Sequence, residues 1–486
     1  MKYSEISVFI VYLCAMLGIG VYFFFKERNG GEKTYFLGDR KMGAWVAALS
    51  AGASDMSAWV LMGLPTAIYA HGLGQVWIPV GLALGYTVSW IVQAPRLRRF
   101  SIVAGDAITI PQYLTNRFLA KSRLLQVISA IVFLLAYTIY AASSIKACGI
   151  LFHKVVGIDP VNAMYLAAFI IVGYTFLGGF SAVCWTDFVQ GLLIVGSMLL
   201  APIFAYFMLP SSNAVIEQTG YWSAFGDWRA IVSGLAWGLG YFGMPHIIIR
   251  FMSIRSQREL RKSSVIGISW TLIVVTFAAL IGIIGRLKLG MNDEIVGNEL
   301  VFIQMVRAIF PGLISGVLLS AVLAAAMSTA DSQLLAASSA FSSDFYKPVV
   351  RNSRAHDAEL MWIGRLVVLI VAETALIIAS NPNAGSIMDL VANAWGIFGA
   401  AFGPTIMLSL FWKRFNISGA VAGIIGGAVI DITWLVCFTK PTGLFELLPG
   451  FIGGMVCAVA GTYCGKAPSA EVLTLFRKAV DYRDPE

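Results

Sequence analysis

Apolar runs long enough to cross a bilayer recur along almost the whole chain, separated by short polar joints. A spanning helix needs about 20 mostly apolar residues. That measure predicts thirteen segments, near 4–25, 42–70, 74–95, 124–152, 160–180, 185–209, 229–250, 264–286, 309–340, 360–380, 386–412, 416–437 and 446–465. The expected fold is all-α, a polytopic membrane protein with 13 transmembrane helices. Several segments exceed the minimum, which allows tilt or a break. The second contains "GASDMSA" and the seventh "WGLGYFGMP", where glycine, serine and proline weaken a continuous helix. These two lie five segments apart and so run in opposite directions. An opposed pair of broken helices at that spacing predicts a five-plus-five inverted repeat, with substrate and ion held where both unwind.

Composition narrows the class. Of 486 residues, 58% are hydrophobic and 12% charged, with a mean hydropathy of +0.79. A soluble domain carries about 25% charged residues, so this chain lacks the polar surface to cover itself in water. The net charge of +8 is therefore no sign of a nucleic-acid partner; the expected surroundings are membrane lipid. With the N-terminus outside and the C-terminus inside, 26 of the 34 basic residues, Arg28, Arg40 and Arg250 among them, fall at inside joints, as the positive-inside rule requires. The six cysteines show no metal-ligand or CxxC spacing and read as small buried hydrophobes. The first apolar run has neither a strongly basic front nor a small-x-small exit, which predicts a retained helix. Beyond residue 465 the expectation is a short polar tail and no soluble catalytic domain.

Chemistry is concentrated at the breaks. Irregular backbone inside a membrane persists only where it lines a cavity or is buried in protein, and the carbonyls it frees suit a hard cation. Ala53 and Met56 can offer such carbonyls; "LAAAMSTADSQLL" in the ninth segment adds Ala325, Ser328 and Thr329. The plainer alternative is that these hydroxyls bond back to their own helix. Asp55 is harder to set aside, since an ionised side chain at mid-membrane costs roughly 2.5–3.5 kcal/mol and marks an ion or substrate path. It could also cap a half-helix, and the two roles are compatible. Asp187 and Asp331 are further intramembrane acids, whereas Glu373 and Asp431 are expected to be salt-bridged structural residues. Trp59, Tyr140, Trp237 and Tyr241 lie near the breaks, where aromatic faces could hold an organic solute. Most of the 61 aromatics must nevertheless line lipid or core.

At these residues the chain resembles a known family. "ALSAGASDMSAWVLMGLP", "FLGGFSAVCWTDFVQ", "WGLGYFGMPHIIIRFM", "LLSAVLAAAMSTADSQLL" and "FGAAFGPTIM" are similar to the sodium/solute symporter family, most closely its bacterial sodium/proline branch. The resemblance implies a LeuT-type core over 42–412, preceded by a first helix and loop (1–41) and followed by two accessory helices (413–465) and a cytoplasmic tail (466–486). It implies sodium-coupled uptake of L-proline across the cytoplasmic membrane by alternating access, with Na+ as the co-transported ion and no enzymatic step. Another amino acid, pantothenate or a monocarboxylate is the alternative cargo. Sodium would lie on Ala53, Met56, Ala325, Ser328 and Thr329. The solute would lie on Ser57, Trp59, Tyr140, Trp237, Gly238, Tyr241 and Pro245. Arg40, Asp55, Asp187 and Asp331 would serve ion coupling. Ala58, Met244 and Asp331 depart from the usual wording.

Overall fold

The second apolar segment begins as a regular helix, Ala44–Asp55, and stops where the sequence turns polar. Met56 leaves helical geometry, with ψ 71. Ser57 is extended and starts a new short helix, Ala58–Leu61, its hydroxyl accepting from the Trp59 N–H. A further piece, Gly63–His71, completes the segment. The seventh segment breaks differently. Trp228–Ala236 tightens into a 3₁₀ stretch, Trp237–Phe242, and a new helix starts at Pro245 and runs to Ser253. The halves are bent by 44°. Proline at the first helical position suits this restart, since its missing N–H would be unpaired there anyway.

These segments belong to a computed structural model that describes residues 2–484 except 28–30, 178, 210–215, 217 and 353. Arg28 and Gly178 of the sequence reading lie outside the described residues. The described chain is all-helical. By length and composition ten of its helices can cross a membrane, or eleven if the bent pair is one span. The spans built on Gly312–Val350 and Ile387–Phe411 form the centre: 83% of each spanning window is buried, against 28% for the first span. Ala44–Asp55 packs between Phe180–Phe207, Gln257–Leu289 and Pro245–Ser253. Ile417–Cys437 and Leu447–Cys464 pack on each other and on Ile387–Phe411.

Several boundaries differ from the sequence reading. The third segment runs on through a π-turn at Ser89–Gln93 to Val103. Arg98, counted among joint residues, is consequently buried in a helix, donating to the Ile254 and Arg255 carbonyls and to Asp484. The sixth begins at Phe180 rather than 185. Arg250, also assigned to a joint, is 1% exposed inside Pro245–Ser253. The expected salt bridges of Asp431 and Glu373 do not form among the described residues. Asp431 is fully buried with both carboxyl oxygens unpaired, and Glu373 lies on the exposed face of Asp357–Ser380. Both sit in apolar helices where no basic side chain reaches them.

Candidate functional site

The two breaks meet. Tyr241, in the 3₁₀ stretch of the seventh segment, donates its hydroxyl to Asp55 Oδ2 at 2.6 Å. Trp59 and Trp237 stack with centroids 5.9 Å apart. The indole of Trp59 and the hydroxyl of Tyr140 both reach the Asp55 carbonyl, at 3.3 and 3.4 Å. Asp55 Oδ1 is buried with no hydrogen-bond partner, and no ion pair forms at Asp55 among the described residues. Among the described residues no basic side chain matches a carboxylate in this position.

The proposed cation ligands lie beside it. Ser328 Oγ is 2.8 Å from the Ala53 carbonyl and 3.1 Å from that of Ala325, and Thr329 Oγ1 is 3.4 Å from Ala53 O. Four of the five oxygens thus form one knot, drawn together by the hydroxyl protons. Met56, the fifth, is at the break itself, its N–H bonded to Gly52 O. Oxygens in this number and chemistry fit a hard monovalent cation, which would replace the three hydroxyl–carbonyl contacts.

The remaining predicted residues divide. Ser57 caps the short helix and Pro245 starts the outgoing one. Gly238 faces away from the aromatics: a Cβ there would lie 2.2 Å from the Gly81 carbonyl, so the residue is needed for close helix packing. Arg40 is separate from the breaks. With φ 55 it binds Asp106 at 2.8 Å, Ser101 at 3.2 Å, Ala107 O at 2.8 Å and the Met252 carbonyl. Burial pushes the Asp106 carboxyl up, but hydrogen bonds from Lys33 and Arg40 prevail and hold it below the usual range. This cluster staples the chain end of the seventh segment to two loops.

Asp187 has a partner that the sequence reading missed. Its Oδ2 accepts from Ser50 (2.7 Å), Ser54 (2.9 Å) and the Arg250 guanidinium (3.1 Å). Arg250 also binds Ser50 Oγ, the His246 carbonyl and Ser332 Oγ. Ser332 in turn approaches Ser54 at 2.9 Å and the neighbouring Asp331 carboxyl at 3.4 Å. Ser50 and Ser54 are one helical turn apart, and Arg250 lies four residues after His246; those spacings were the available signal. Trp395 was also missed. It donates to the Trp237 carbonyl at 2.8 Å and meets Tyr241 edge-on at 5.1 Å. Phe445 stacks on Trp237 at 4.9 Å.

A helical bundle of membrane length, with opposed broken helices meeting at an oxygen knot and an unmatched carboxylate, defines a membrane carrier. A model of the sodium:solute symporter family matches residues 35–427. Sodium/proline symporters of Staphylococcus aureus strains USA300 and JH9 are each 40% identical over 487 residues, covering 97% of this chain and 94% of the relative. The chain belongs to the sodium:solute symporter family. Its fold is shared with a Na+-coupled sialic acid symporter in a substrate-bound outward-open state, at a TM-score of 0.78 and 22% identity over 96% of this chain and 99% of that one. A nucleobase-cation-symport-1 family transporter, closed around bromovinylhydantoin, matches with a TM-score of 0.55 at 14% identity, over 92% of this chain and 98% of that one.

Proposed function

We propose that this protein is a sodium-coupled symporter that takes up L-proline across the cytoplasmic membrane by alternating access. The observation that carries the reading is the convergence of Ala53, Ala325, Ser328 and Thr329 oxygens beside Asp55, with Trp59, Tyr140, Trp237 and Tyr241 closing over the same break. Sodium enters the oxygen knot and separates the hydroxyl–carbonyl pairs. That fixes the second segment in the form to which proline binds among the aromatics. Sodium can favour this form only through its higher affinity for it, and by reciprocity proline then tightens sodium. The outer side closes, the inner opens, and both leave. No bond in the solute is made or broken, so the protein is a carrier and not an enzyme.

The finer architecture follows the same reading. Splitting the long Ala58–Val103 stretch at Gly72, and counting the bent pair and Pro160–Leu177, brings the spans to thirteen. Residues 42–412 would form the inverted-repeat core, with the first helix, two accessory helices and the tail outside it. The N-terminus lies outside and the C-terminus in the cytoplasm, so Arg40 and Asp106 stand at the cytoplasmic face. Arg250 supports a ratio of one sodium per proline, because its guanidinium already sits where a second cation would neutralise Asp187. Asp331 is the residue that could raise the ratio to two.

Uptake of labelled proline into proteoliposomes, with and without an inward sodium gradient, tests the function. Accumulation should require sodium; equal uptake without it would refute coupling. A competition panel of other amino acids, pantothenate and monocarboxylates should leave proline the strongest competitor. The reversal potential of the flux should give one sodium per proline in wild type and in Asp331→Ala; a ratio of two that falls to one in the variant would place a second ion at Asp331.

A further inference from the structure

Buried polar groups almost always have partners, so those without one point to what is missing. Around the meeting of the breaks the unpartnered atoms form a set. His246, the second residue of the outgoing helix of the seventh segment, is fully buried; its ring lies near the Ser54 backbone, yet neither nitrogen completes a hydrogen bond. Its imidazole lies edge-on to Tyr140 at 5.9 Å and to Tyr137 at 5.8 Å. The Tyr137 hydroxyl, near the His246 backbone, is likewise buried and completes no hydrogen bond. Tyr140 carries its own hydroxyl to the Asp55 carbonyl, and Asp55 Oδ1 is unpartnered in turn.

The chemistry of this set is specific. Imidazole, whichever nitrogen carries the proton, presents at least one N–H donor, and a phenol presents an O–H donor. Asp55 Oδ1 presents only an acceptor when ionised. Donors at His246 and Tyr137 and an anionic acceptor at Asp55, all near Tyr140, match neither a simple cation nor a simple anion. They match a small zwitterion, its carboxylate towards His246 and Tyr137 and its primary or secondary ammonium end towards Asp55. Apolar alternatives for His246 would fill the space between two tyrosines without orphaned nitrogens, so packing alone does not account for an imidazole here.

We propose that His246, assisted by Tyr137, forms the subsite that receives the carboxylate of the transported amino acid. The proposal rests on reading the chain as an amino-acid carrier and deepens it: the aromatics supply a surface for the ring, and His246 supplies recognition of the acid group.

Binding to purified protein in nanodiscs at saturating sodium tests this, with L-proline, L-alanine and glycine betaine as carboxylate probes and pyrrolidine as the probe lacking the carboxylate. The comparison is made on whichever carboxylate probe the wild type binds best. Removing a hydrogen bond to a charged group should weaken that probe on the order of ten- to a hundredfold in His246→Leu. His246→Gln, which keeps a donor, should recover much of the loss. Pyrrolidine affinity and the sodium concentration for half-maximal binding without solute should stay within about twofold of wild type. Unchanged affinity for the carboxylate probe in His246→Leu would overturn the subsite. So would an equal loss for pyrrolidine, which would mark a structural role, or a wild type that binds pyrrolidine but no carboxylate probe. Failure of the proline reading looks different: a wild type that prefers alanine or betaine, with the His246 effect intact.

Discussion

Asp55 and Asp187 are both fully buried carboxylates in the same bundle, each with one unpartnered oxygen, yet among the described residues only Asp187 has an ion-pair partner. Asp187 is held through Oδ2 by two serines and a guanidinium, so its charge is matched from within the protein although its Oδ1 has no partner. Asp55 has a single phenol on one oxygen and nothing on the other. A buried charge that is not matched from within must be matched by what binds or be neutralised by a proton. The difference separates a carboxylate wired into the scaffold from one whose charge the scaffold leaves open.

The largest expected effect falls on the unmatched carboxylate. Asp55→Ala should abolish sodium-driven uptake while leaving membrane insertion intact, and Asp55→Asn should fail as well, since it keeps the hydrogen bonds but not the charge. Wild-type sodium dependence in the Asn variant would reduce Asp55 to a helix cap. Asp187 should respond through stability. Arg250→Met alone leaves an uncompensated buried charge, a loss of about 3–5 kcal/mol. Adding Asp187→Asn should restore much of it, read as the thermal unfolding midpoint in detergent. A double variant no more stable than the single would deny that the pair is coupled.

Smaller effects test the cargo side. Ser328→Ala and Thr329→Ala should each raise the sodium concentration needed for half-maximal uptake several-fold; no change in either would move the ion elsewhere. Trp59→Ala, Trp237→Ala and Tyr241→Ala should weaken proline binding at saturating sodium. A first-helix aromatic is the natural control, but Phe23 is buried against Trp185. Phe25, 63% exposed, is the better choice, and Phe25→Ala should bind as wild type does.

The smallest effect concerns a third acid, in the joint before Val301–Ile309. Glu299, in a left-handed backbone conformation at φ 54, accepts from the N–H groups of Ile387 and Met388 and so caps the start of Ile387–Phe411. Burial pushes its carboxyl up to about 7, against the pull of those two donors and of Lys146, with Asp389 adding to the rise. The folded protein therefore keeps a proton that the unfolded chain, at 4.5, would release. Stability from this group is full below about pH 4.5 and is lost as pH rises through 7. Glu299→Gln should flatten that decline in unfolding midpoint; an unaltered slope would assign it to other groups.

Much of this was legible in residue order because membrane helices obey local rules. Length and hydropathy place the spans, and glycine, serine and proline mark the breaks at residues 52–57 and 238–245. The oxygen donors and Asp55 stand out because polar atoms are costly in an apolar run. Arg250 was misplaced for a related reason: an arginine near a segment end reads as a joint residue. Only the fold shows that helix Pro245–Ser253 turns it inward onto an acid 63 residues earlier in the chain.

Residue order alone therefore determined that the chain crosses a membrane many times, that two of its helices are interrupted, and that a carboxylate stands at one interruption. These follow from free energies that depend on a residue and its near neighbours. Tertiary structure decided which charges are matched and which are left open. It joined Asp187 to Arg250, set Gly238 against Gly81 and tied Arg40 to Asp106 and the Met252 carbonyl. It also left Asp55 Oδ1 and the nitrogens of His246 without partners. Pairing depends on which helix faces meet, and that is settled by packing across the whole bundle, to which no local window of sequence has access.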